Sequence, residues 1–109
     1  MRTLHTVLLS VALLLATAAR ADDEKTLALG KTLFNTKAVP ACAICHTLRD
    51  AGSTGEVGPV LDEIKPTALR VLTALKTGIG QMPAYANTLS DVEMKALALY
   101  VSKATGAEK

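Results

Sequence analysis

Val39-Pro40-Ala41-Cys42-Ala43-Ile44-Cys45-His46, written VPACAICH, holds both cysteines of a 109-residue chain. A histidine follows the second cysteine directly. Two thiols this close, with an imidazole behind them, suit four chemistries: a short-loop disulfide, a thiol redox pair, part of a zinc site, or covalent attachment of a haem. The rest of the chain decides among them.

The N-terminus reads as a targeting segment. Arg2 and His5 give a weakly basic start, Thr6 to Thr17 (TVLLSVALLLAT) is an apolar run, and Ala19-Arg20-Ala21 is a small-x-small cleavage site. This is the pattern of a secretory signal peptide. The run falls short of the ~20 residues a spanning helix needs. The expected organisation is therefore a cleaved signal at 1–21 and one domain at 22–109, with no membrane span after cleavage. An uncleaved membrane anchor is the alternative. Export places the cysteine pair in an oxidising compartment.

Charge excludes another class. Of the 12 basic residues Arg2 and Arg20 leave with the signal, which balances ten basic against ten acidic residues. No basic stripe with aromatic platforms remains for nucleic acid. Past residue 21 the only aromatics are Phe34, Tyr85 and Tyr100, with no Trp. Small domains often need a staple such as a disulfide, metal or cofactor.

Three helices are expected, and no stretch alternates long enough to be a strand. The first runs from Asp23 to Asn35, with acidic residues at its positive end and Leu27, Gly30, Leu33 and Phe34 on one face. Gly30 suits a close crossing by another helix. The second runs from Pro66 to Thr77, with Pro66 in its first turn, Ala68, Leu69, Leu72 and Leu75 as a buried stripe, and Gly78 as its C-cap. The third starts at the capping box Ser90-Asp91-Val92-Glu93 and ends near Ala104. The fold class is all-α.

This context favours haem. A thioredoxin-like pair needs a βαβ setting, and a zinc site needs four ligands where the processed chain has two Cys and one His. CxxCH is the attachment signature of c-type haem. Two intervening residues set the span between two vinyl groups on one porphyrin edge. Cys42 and Cys45 would form the thioethers, and His46 would turn its imidazole under the iron as proximal ligand. One haem c per chain also supplies the bulk that the missing aromatics do not.

His46 is the only histidine left after processing, so a second histidine ligand from the same chain is excluded. Met, Lys, an amine terminus or an open position remain. Met94 lies inside the third helix, where methionine is usually core filler. Met82 lies in Gly78-Ile79-Gly80-Gln81-Met82-Pro83, where two glycines let the backbone approach a flat cofactor. Met82 is therefore the expected sixth ligand. His/Met ligation raises the potential and leaves no open site, which suits electron transfer.

The order G-x-x-L-F, CxxCH, G-P, G-x-G-x-M-P and a final helix ending A-L-Y-V resembles class I c-type cytochromes. The likeness spans the whole processed chain. It implies a haem wrapped by crossed N- and C-terminal helices, with Gly30 and Phe34 meeting Leu97 and Tyr100. It also implies that the Pro59 carbonyl accepts a hydrogen bond from the His46 ring, which orients the ligand. The 36 positions from His46 to Met82 are few for this family, and no Trp is present to bind a propionate. Arg49, Lys65 and Arg70 are the candidate counterions. GSTGEVGPVLDEIKP together with GIGQMPAY further resembles the small cytochrome subunits of periplasmic sulfite dehydrogenases. The expected function is thus a periplasmic, non-enzymatic electron carrier. Its partners would be a dehydrogenase donor and a cytochrome or oxidase acceptor. The alternative is a haem enzyme or gas sensor with a labile sixth ligand.

Overall fold

The computed structural model describes the backbone of residues 2–109 and side chains from Leu14 onward. Its elements are helix α1 (Arg2–Thr32), which passes into a π-helical turn (Leu33–Lys37), then single-turn helix α2 (Cys42–Cys45), strands β1 (Thr47–Leu48) and β2 (Ser53–Thr54), single-turn helix α3 (Leu61–Ile64), α4 (Ala68–Thr77) and α5 (Asp91–Ala104).

The first helix begins well before its expected start at Asp23; its α-helical part ends at Thr32, and the π-helical turn carries the chain past the expected end at Asn35. Its Ala- and Leu-rich sequence holds no Gly or Pro before Gly30, so no local signal stops it. Leu14 and Leu15 are exposed, and that stretch adds nothing to the core. No described helix is long and apolar enough to cross a membrane. At the C-terminal end the Ala38 amide reaches the Leu33 carbonyl at 3.1 Å, an i→i+5 bond. Leu33, Phe34 and Ala38 are all buried there.

The α1–α5 crossing is the spine of the domain. A Cβ on Gly30 would collide with the Ala96 carbonyl and with Tyr100 Cβ. Only a glycine lets the two backbones come this close, as its place on the buried face suggested. Just beyond, Phe34 and Tyr100 meet edge to face, with ring centroids 6.0 Å apart and planes at 65°. Leu97 is 1 % exposed in the same cluster. The Tyr100 hydroxyl donates to Asp50 at 2.6 Å, and Lys31 pairs with the same carboxylate at 3.4 Å. That hydroxyl first, and Lys31 after it, hold the Asp50 carboxyl below the usual carboxylate range.

Helix α5 begins where its capping box predicts. The Glu93 amide donates to Ser90 Oγ at 3.1 Å, and the Ser90 amide donates to Glu93 Oε2 at 2.9 Å. Helix α4 starts later than Pro66. Thr67 is its N-cap, because its hydroxyl accepts from the Arg70 amide at 3.2 Å and so satisfies an orphan donor. The expected stripe on α4 is also rotated: Leu75 is buried, but Leu69 is 73 % exposed. One side of α4 packs on α5 and another faces a large cleft, so two surfaces are covered rather than one stripe. Glu108 adds a second lock. Its carboxylate accepts from the Ala68 amide at 3.1 Å and from Ser102 Oγ at 3.2 Å.

The fold is helix-dominated rather than strictly all-α. Strands β1 and β2 pair antiparallel, with Thr47 opposite Thr54 and Leu48 opposite Ser53. Two-residue strands are too short to show an alternating pattern. The hairpin is held by side chains as well: Ser53 Oγ accepts from the Leu48 amide at 2.9 Å and donates to the His46 carbonyl at 2.8 Å.

Candidate cofactor site

The cleft between α4, α5 and the two central loops has a volume of about 720 Å³. That lies within the range of small-molecule and cofactor sites. Cys42, Cys45, His46, Pro59 and Met82 all line it. The structure thus brings every site residue expected from sequence to one cavity. Met94 is instead buried in the core cluster, as expected of a filler. The cavity wall is largely apolar, with Phe34, Leu75, Leu97 and Val101 at its back. A flat apolar group with two thioether links fits these residues.

Single-turn helix α2 gives the cysteines their presentation. It is closed by the His46 amide, which donates to the Cys42 carbonyl at 2.9 Å. His46 then leaves the helix in an extended conformation. Its Nδ1 lies 2.8 Å from the Pro59 carbonyl. A carbonyl only accepts, so Nδ1 carries the proton and Nε2 keeps its lone pair for a metal. Burial pushes the Cys42 thiol up to about 11, which keeps it protonated at neutral pH. No disulfide joins Cys42 to Cys45.

Two glycines make room for this unit: Gly58, which the sequence offers only as half of the G-P element, and Gly55, which it does not single out. A Cβ on Gly55 would lie 2.6 Å from the Ile44 carbonyl oxygen, and one on Gly58 would lie 2.6 Å from the His46 ring. The Gly58 amide also donates to the Cys45 carbonyl at 2.7 Å. The three glycines of GSTGEVGP are the sequence signal, and they do not say what comes close.

Met82 sits on a two-residue turn. The Ile79 amide donates to the Met82 carbonyl at 3.1 Å, and the Met82 amide donates back at 2.9 Å. Gly80 alone in the turn has a positive φ, +56°, as at the first central position of a type II′ turn. Tyr85, three residues on, was read from sequence only as an aromatic. It is 4 % exposed and lines the cleft, and burial raises its phenol to about 12. Of the three candidate counterions only Arg70 lines the cleft. Lys65 instead caps α3 with a φ of +42°.

A helical domain built around a cavity that CxxCH and a Met turn both enter is a c-type cytochrome domain. Residues 25–101 match the family described as cytochrome C oxidase, cbb3-type, subunit III, and the chain belongs to that family of c-type cytochrome domains. Among solved structures it is similar to the c-type cytochrome SorU from Sinorhizobium meliloti, with 55% identity, a TM-score of 0.73, and coverage of 76% of this chain and 94% of that one. No curated protein matches the chain.

Proposed function

We propose that the chain carries single electrons in the periplasm on one haem c, after loss of residues 1–21. Cys42 and Cys45 would supply the thioethers, and His46 and Met82 would ligate the iron. One observation carries this reading: the His46 Nδ1–H···O bond to Pro59 leaves Nε2 available in the same cavity that the Met82 turn borders. When bound, the haem supplies a reversible one-electron couple. With His46 and Met82 both as ligands the iron would keep no open site, which favours electron transfer over chemistry on a bound substrate. Arg70 is suited to offset propionate charge at the cavity wall. The enzyme or sensor alternative is weaker, because no second histidine remains after processing for acid–base work.

The test is the optical spectrum of the exported protein, oxidised and reduced, with and without carbon monoxide. The expected result is cysteine-linked haem with a Met–iron charge-transfer band and no response to carbon monoxide. Ready binding of carbon monoxide would take Met82 off the iron and favour catalysis or sensing.

The partner reading rests on surface chemistry and on the sequence likeness to sulfite dehydrogenase subunits. Val39, Ile44 and Ile79 are exposed apolar side chains beside the cysteine pair and the Met turn. A small apolar rim suits brief encounters with a periplasmic dehydrogenase donor and a cytochrome or oxidase acceptor. Val39→Glu is expected to slow electron transfer with the donor by about tenfold and to leave the absorption spectrum unchanged. Stopped-flow reduction by a periplasmic sulfite dehydrogenase checks it; unchanged rates would move the docking surface elsewhere.

A further inference from the structure

Within the Met turn, the backbone bonds of Ile79 and Met82 close the turn on itself. Nothing in that pair of bonds fixes how far the turn stands from the opposite wall. The next fixed point is Tyr85. Its amide donates to the Leu75 carbonyl at 2.7 Å, and its carbonyl accepts from the Leu89 amide at 2.9 Å. Its hydroxyl then crosses to the other central loop and donates to the Pro40 carbonyl at 2.7 Å. Pro40 stands two residues before Cys42, and Tyr85 stands three after Met82. Both Pro40 and the Tyr85 ring line the cavity. The hydroxyl is thus a crossbar between the segment that leads into the cysteine pair and the segment that carries the methionine.

We infer that Tyr85 is a positioning residue that keeps Met82 at the metal by holding the Met turn against the Pro40 segment. The inference rests on the His46/Met82 reading above. It concerns the strength of that closure rather than its existence. If the crossbar is cut, the turn can swing outward while Leu75 and Leu89 still anchor the backbone. An external ligand then competes better for the sixth position.

Tyr85→Phe removes the crossbar and keeps the ring in the core. Tyr100→Phe is the control, since it removes another bonded hydroxyl, the one on Asp50, away from the Met turn. Both holo proteins, oxidised, are titrated with imidazole, with loss of the Met–iron band as readout. Tyr85→Phe is expected to bind imidazole about fivefold more tightly than wild type, which corresponds to about 1 kcal/mol, the worth of one hydrogen bond. Tyr100→Phe is expected to match wild type. Equal affinities in all three proteins, or equal gains in both variants, would overturn the role of Tyr85. A wild-type protein with no Met–iron band would instead overturn the ligand reading on which it stands.

Discussion

The Cys42→Ala/Cys45→Ala protein, exported and purified like its parent, is expected to be colourless and to unfold without a cooperative transition. The cavity explains why the second effect follows from the first. Phe34, Leu61, Leu75, Tyr85, Leu97 and Val101 belong both to the hydrophobic core and to the cavity wall. At about 24 cal/mol per Å³, leaving 720 Å³ wholly unfilled would cost on the order of 17 kcal/mol. Water can enter an open cleft, so this is an upper bound. Even half of it would offset much of the roughly 5–15 kcal/mol that holds a domain together. Haem content by pyridine haemochrome and thermal unfolding by circular dichroism read the two effects separately. A colourless variant that melts cooperatively at the wild-type temperature would show that the side chains alone make the core.

Gly30→Ala puts two effects of opposite sign in competition. In an exposed helix interior the change would stabilise by about 1 kcal/mol. At the α1–α5 crossing the new Cβ meets the Ala96 carbonyl and Tyr100 Cβ, both of them fixed parts of a packed helix. Overpacking typically costs about 1–3 kcal/mol, and backbone on one side leaves little room to relax. The net cost is about 0–2 kcal/mol, so Tm is expected to fall by up to about 15 °C for a domain of this size, and by more for Gly30→Val. The thermal midpoint of the holo protein measures it. A rise in Tm on Gly30→Ala would mean that the crossing is looser than described.

What could be read from sequence was local or chemically specific. VPACAICH pointed to residues that line the cavity because haem attachment demands that spacing. Ser90 to Glu93 announced α5 because a capping box is complete within four residues. Gly30 announced the crossing because a glycine on an apolar helix face has few other uses. The losses came where structure depends on distant partners. Helices α2 and α3 span one turn each, too short for any periodicity. The start of α4 hung on a choice between Pro66 and the Thr67 hydroxyl, two residues that both favour a helix start. The stripe on α4 was misplaced because the cleft, not a neighbouring helix, faces Val71 and Ala74. The tie from Tyr85 to Pro40 joins positions 45 residues apart, and no local pattern encodes it. Gly55 and Gly58 stood in plain view, but their role appears only once the Ile44–Cys45 backbone lies against the first and the His46 ring against the second.

The cavity wall also draws on both ends of the domain. Phe34 comes from the π-helical turn that follows α1, while Leu97 and Val101 come from the last helix. The back of the cavity therefore exists only when the two ends of the chain have met. A chain that has lost either end keeps its CxxCH segment but loses the wall it faces.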